Sequence, residues 1–185
     1  MILPIVLYGD PILKKNTTHV APDHEGLQTL IKDMFETMYA ADGVGLAAPQ
    51  IGQSLNIFIV DATPFQEEYP ETKDLKKVFI NAEIIEESGE PWYFNEGCLS
   101  FPELREDVLR KPVIKIQYFD EDFVKNEEVF DGLTARIIQH EYDHVKGKVF
   151  VDKISFLKRR LIKNKLNDIA KGKTNAKYRV KRTAK

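Results

Sequence analysis

Two histidines four residues apart, with a glutamate between them, stand in His140-Glu141-Tyr142-Asp143-His144. On a helix, residues at that spacing share a face with Cβ atoms roughly 5–6 Å apart, so His140 and His144 can hold one metal ion together. Glu141 then sits where it can handle a proton at a water on that ion. The single cysteine, Cys98, lies in Asn95-Glu96-Gly97-Cys98-Leu99-Ser100 and is a natural third ligand. Three protein ligands with one open position are typical of catalytic metal sites. A thiolate and two imidazoles suit zinc, iron or nickel, and ligand type alone does not choose among them. Such a metal lowers the pKa of its water from 15.7 towards roughly 7. Glu141 could take that proton and deliver it to a leaving amine. The reaction class is metal-assisted hydrolysis, most naturally of an amide. The bland alternatives are two surface histidines on a helix and a buried, inert thiol.

A second segment, Gly43-Val44-Gly45-Leu46-Ala47-Ala48-Pro49-Gln50-Ile51-Gly52, offers an irregular backbone that can approach a ligand closely. It lacks both the G-x-G-x-x-G spacing and the Lys-Ser/Thr ending of nucleotide-binding loops, which excludes nucleotide binding. The Gln50 amide can donate to a developing oxyanion; by itself, such a residue is more often found at a turn or on the surface. His19 and His24 have no partner in sequence and read as surface residues.

These groups must be carried by a scaffold. The motif predicts a helix over 133–146. Leu27, Leu30, Ile31, Met34, Phe35 and Met38 recur at helical spacing, with Asp23 as the expected N-cap and Asp42-Gly43 as the stop. Residues 55–60, 78–81 and 113–119 read as strands, as does the apolar N-terminus. A turn at Asp120-Glu121-Asp122 leads into a strand over 123–130. Residues 62–77, with Pro64 and Pro70, read as a loop or insertion. Val149-Phe150-Val151 predicts a short strand, and Ser155 caps a last helix reaching Ile169. Strands without a regular βαβ rhythm point to an α+β fold, with short mixed or antiparallel sheets packed around the central metal-binding helix.

The 185 residues suit one domain. No apolar run is long enough for a transmembrane helix, and the N-terminus lacks a signal peptide's basic region. One cysteine cannot form an internal disulfide, so the cytoplasm is the expected compartment. Charge is unevenly placed: residues 158–185 carry twelve Lys or Arg against one acid, a net +11, while the rest carries −13, giving the chain's −2. A basic end on an acidic body means either an anionic partner or a solvated tail.

Together the three segments resemble the bacterial peptide deformylases. Gly43 to Gly52 is similar to that family's G-x-G-x-A-A-x-Q motif, Glu96 to Ser100 to its E-G-C-x-S motif, and Gln139 to His144 to its Q-H-E-x-D-H motif. The resemblance spans residues 3–157. It implies a catalytic domain over 1–157 and a basic helix and tail over 158–185. It implies hydrolytic removal of the formyl group from N-formyl-methionyl nascent peptides, releasing formate. Cys98, His140 and His144 would hold the metal, physiologically Fe2+, with Zn2+ or Ni2+ as alternatives. Glu141 would be the general base and acid as metal-bound water attacks the formyl carbonyl. The Gln50 side chain and the Leu99 N–H would bind the oxyanion. The methionine side chain would enter a pocket of Val44, Phe94, Leu133 and Ile137, and backbone at Val44, Gly45 and Gly97 would pair with the peptide like an added strand. Arg136 would line its rim or pair with an acid such as Glu96. A monomer is expected, with no membrane partner; the basic tail is expected to touch ribosomal RNA. Val145 departs from the leucine common after the second histidine, and the 62–77 stretch departs in length.

Two other readings share parts of this pattern. A metallopeptidase uses the same H-E-x-x-H chemistry, though usually with a third His or Glu where this chain offers Cys98. A binding protein with a structural metal would need a fourth ligand that the sequence does not offer.

Overall fold

The computed structural model describes residues 1–181; residues 182–185, the end of the expected basic tail, lie outside the described residues. Its elements are β1 (Ile5–Val6), α1 (Leu27–Ala40), β2 (Gly45–Ala47), β3 (Ile57–Asp61), β4 (Lys76–Ser88), β5 (Trp92–Gly97), β6 (Arg105–Arg110), β7 (Val113–Phe119), β8 (Lys125–Phe130), α2 (Gly132–Val145), α3 (Phe156–Leu161), α4 (Lys163–Ala170) and β9 (Val180–Lys181). Five strands form an antiparallel sheet in the order β2-β3-β4-β7-β8; β5 pairs with β6, and β1 pairs in parallel with β9. This is an α+β arrangement of short sheets. No helix among the described residues is long and apolar enough to cross a membrane.

Strand β3 shows how the layers form. Its side chains alternate, and every one is buried. Phe58 and Val60 join the cluster containing Leu133 and Ile138 of α2, whereas Ile57 and Ile59 join the cluster containing Ile31, Met34 and Met38 of α1. One helix therefore covers each face of the sheet. A third cluster lies outside it, where Val6, Leu7, Phe101 and Val149 to Val151 enclose Leu166 and Ile169 of α4.

Several local expectations are corrected. The N-cap of α1 is Gly26, with φ 76°, not Asp23. A turn closed by Leu27 N–H donating to the His24 carbonyl turns the chain before the first core-facing residue. Val149-Phe150-Val151 is no strand: Phe150–Asp152 is a 3-10 turn, closed by Asp152 Oδ2 accepting from Val149 N–H at 3.0 Å. That turn buries its apolar side chains without a strand partner. The last helix breaks at Ile162 into two, because its apolar residues do not share one environment: Phe156, Leu157 and Leu161 are exposed, whereas Leu166 and Ile169 are buried. The tail beyond that helix contributes β9, for which the sequence offers no strand signal. The hairpin β5–β6 was not foreseen, since aromatic and charged residues mix in it without a clean alternation; β4 is far longer than the expected 78–81, because its acid-rich half over 83–88 lacks an apolar periodicity.

The 62–77 stretch is more than surface decoration. It forms two short 3-10 turns before entering β4. Glu71 Oε1 accepts from the Leu133 N–H at 3.1 Å, and its carbonyl accepts from Thr134 Oγ1 at 3.0 Å. Asp131, at the N-cap of α2, makes no side-chain cap, so Glu71 satisfies an end that would otherwise be left open.

Candidate active site

Helix α2 lies almost wholly inside the molecule; of its residues only Gly132 and Tyr142 are not buried. It presents His140 and His144 on one face, ring centroids 5.3 Å apart. Cys98 leaves the end of β5 and brings Sγ to 3.3 Å from His144 Nε2. One donor atom from each of Cys98, His140 and His144 lies within 4.8 Å of the others.

The orientation of His140 is set from behind. Its Nδ1 lies 2.9 Å from Glu96 Oε2, and an ionised carboxylate only accepts, so Nδ1 carries a proton and Nε2 is the nitrogen left to face a metal. Glu96 is itself held by two arginines. Arg110 donates through Nε at 2.7 Å and Nη2 at 3.0 Å, and Arg136 through Nη1 at 3.0 Å. Arg110 also reaches Asp143 at 2.7 Å. Burial would raise the Glu96 carboxyl, but the His140 and Arg110 bonds outweigh it and hold the group well below the usual carboxylate range. Arg136 is therefore a partner of Glu96, with its guanidinium over the Trp92 ring at 4.6 Å, though part of it also reaches the cleft.

Burial lifts the Glu141 carboxyl to about 7, and its Oε2 has no hydrogen-bond partner among the described residues. A cation beside it would pull that value down again. The carboxylate is packed beneath β2: a Cβ built on Gly45 would lie 2.5 Å from Glu141 Oε1. Only glycine at position 45 allows this approach. Burial also pushes His144 well below its ordinary value, which keeps it neutral and able to ligate.

Gln50 is buried on the 3-10 turn Ala48–Ile51. Its Oε1 accepts from the Ala47 N–H at 2.8 Å, which fixes the amide; Nε2 then lies 3.3 Å from Ser100 Oγ and 3.5 Å from Cys98 Sγ. The amide donor thus faces the ligand cluster. The Leu99 N–H has no partner among the described residues.

A cleft of about 570 Å³ opens over this cluster. Val44, Gly45, Gln50, Phe94, Gly97, Cys98, Leu99, Leu133, Ile137, His140 and Glu141 all line it, so sequence reasoning had brought together residues that share one cavity. His144 lies behind them, 1% exposed. His19 and His24 stand apart from it. Phe65 and Tyr69 of the 62–77 stretch and Tyr178 of the tail also line the cleft and were missed. So was the role of Arg110. A buried arginine looks like any surface arginine until its partners are known.

A thiolate and two buried imidazoles, one oriented by a carboxylate, form a donor set that fits a divalent transition metal. Among the described residues the set holds no fourth protein ligand, and it sits against a cleft, which is the form of a catalytic site.

Known proteins carry the same arrangement of chain. The family described as polypeptide deformylase matches residues 2–160. A peptide deformylase of Flavobacterium johnsoniae is 58% identical, covering 98% of this chain and 96% of that one. A crystal structure of a peptide deformylase from Legionella pneumophila superposes with a TM-score of 0.80 at 41% identity, covering 91% of this chain and 95% of that one. The Arabidopsis thaliana peptide deformylase 1B reaches 0.81 at 31% identity, over 96% and 98% of the two chains. The chain belongs to the polypeptide deformylase family of metal-dependent hydrolases.

Proposed function

We propose that Cys98, His140 and His144 hold one divalent metal, ferrous iron physiologically, and that Glu141, Gln50 and Leu99 use it to deformylate N-formyl-methionyl nascent peptides. The observation that carries this reading is the convergence of three donor atoms within 4.8 Å beside a buried carboxylate and an aimed amide, at the floor of one cleft. The metal's contribution would be Lewis-acid polarisation of the formyl oxygen and a lowered pKa for water. Glu141 takes the proton from the attacking water and passes it to the leaving amine nitrogen, releasing formate. Gln50 Nε2 and the Leu99 N–H donate to the oxygen as negative charge develops on it. Val44, Phe94, Leu133 and Ile137 accept the methionine side chain in a cleft that Phe65 and Tyr69 also line. Backbone at Val44, Gly45 and Gly97 pairs with the extended peptide.

We assign the metal ligands, the general base and the oxyanion donors to residues 1–157; residues 158–185 add the end of α3, α4 and β9, which pack against that unit, and the protein works in the cytoplasm as a monomer. Arg160, Lys163, Lys171 and Lys177 are exposed and make no ion pair among the described residues, which leaves them available to ribosomal RNA. Replacing these four with Ser should weaken ribosome binding and flatten its salt dependence; unchanged binding at low salt would remove that partner.

The deciding assay is formate release from formyl-Met-Ala-Ser by protein loaded anaerobically with iron, nickel or zinc. Release that falls about 10²–10⁴-fold in Glu141→Ala, with metal content kept at one per chain, supports the assignment. Chain cleavage without formate would instead indicate a peptidase.

A further inference from the structure

The turn that carries the Leu99 donor is held by the two ends of the chain. Tyr178 Oη donates to the Leu99 carbonyl at 2.7 Å, and the Tyr8 N–H donates to the Ser100 carbonyl at 2.9 Å. Tyr178 is anchored in turn: Val180 pairs with Ile5 across β1 and β9, and the Ile5 N–H donates to the Arg179 carbonyl at 2.9 Å. Farther along the same loop, Lys165 of α4 donates to the Glu103 carbonyl. Residues beyond 160 therefore grip the segment between Cys98 and Leu104 at both ends, although the family match stops at 160.

We propose that Tyr178 is a positioning residue for deformylation, its hydroxyl fixing Leu99 so that the Leu99 N–H stays aimed at the developing oxyanion. The proposal rests on the assignment of Leu99 and Gln50 as oxyanion donors. The hydroxyl suits the task. It is partly buried, it lines the cleft, and among the described residues its hydroxyl bonds only to Leu99, the residue whose other peptide group does the work. Burial holds the phenol well above its usual range, so it remains a donor at any working pH. A donor held before the reaction costs no reorganisation during it, whereas a loose turn lets the N–H drift from its target.

The test is Tyr178→Phe in the full chain, loaded with nickel and assayed for formate release with a formyl-Met-Ala-Ser peptide. A positioning role predicts that kcat falls about three- to tenfold while KM, metal content and melting temperature stay near those of the parent. The same fall should persist in a Gln50→Ala background, where Leu99 is the remaining donor. A lower melting temperature with kcat unchanged would make Tyr178 a structural anchor and overturn the proposal. The two assignments fail separately. If Gln50→Ala lowers kcat and Tyr178→Phe does not, only the role of Tyr178 is wrong. If Gln50→Ala leaves kcat unchanged, the oxyanion assignment is wrong and the route through Leu99 goes with it.

Discussion

Glu96 Oε2 lies 2.9 Å from His140 Nδ1, joining a buried carboxylate on β5 to a proposed metal ligand on α2. The same carboxylate is gripped by Arg110 and Arg136, so the imidazole is oriented by a group that cannot itself move. Replacing Glu96 by Gln removes the anion shared by both guanidinium groups, leaving Arg110 with Asp143 and Arg136 without a carboxylate partner. We expect metal affinity to fall about 10–100-fold. Competition with a chromophoric chelator would show it; affinity within twofold of the parent would mean that the helix alone orients His140.

Gly45 and Glu141 are in contact of a kind that only a missing side chain permits. Gly45→Ala should push the carboxylate aside and lower kcat by at least about tenfold, since misplacing a proton-transfer group by 1 Å can cost as much as 10²-fold. Metal content should be unaffected, because the three ligands lie elsewhere. Steady-state kinetics on the nickel-loaded variant tests this, and a change confined to KM would locate the effect in peptide binding.

Gln50→Ala removes a donor whose direction is fixed by the Ala47 N–H. Turnover should drop by roughly 10²–10³ if the amide serves the oxyanion. Loss of metal without loss of turnover per bound ion would argue that the amide merely supports Cys98.

Asp61, at the end of β3, gives a pH test away from the metal. Burial raises its carboxyl, but bonds from Thr63 and from Tyr39 Oη at 2.6 Å, with the charge of Lys76, leave it below the usual range. A depressed native pKa means that the ionised group adds stability above its unfolded value of about 3.9, and that this is lost as pH falls through the native value. Asp61→Asn should therefore cost about 1–2 kcal/mol at pH 7, and the gap to the parent should narrow below about pH 4. Urea unfolding at pH 7 and pH 3 measures both; a gap of equal size at the two would show that the charge contributes nothing.

The chain's order of residues by itself determined the helix with His140 and His144 on one face, because a four-residue spacing means the same thing in any helix. It also determined the apolar strands β3 and β7, whose periodicity records the burial of one or both faces, and the choice of Cys98, the one thiol available. Only the tertiary structure decided what lies behind and beneath these groups. Glu96 and His140 are 44 positions apart, Glu71 and Leu133 62, and Leu99 and Tyr178 79. In sequence Glu96 is a motif residue and one candidate partner for Arg136, whereas Arg110 and Glu71 do not stand out, since a charged side chain carries no mark of its future partner. The burial of Glu96 and Arg110 is favourable only when all their partners arrive together, and that is a property of the packed molecule. The hairpin β5–β6 escaped notice for the same reason: its charged residues Glu96 and Arg110 are buried in a network that sequence does not reveal, beside core contacts from Phe94 and Val108.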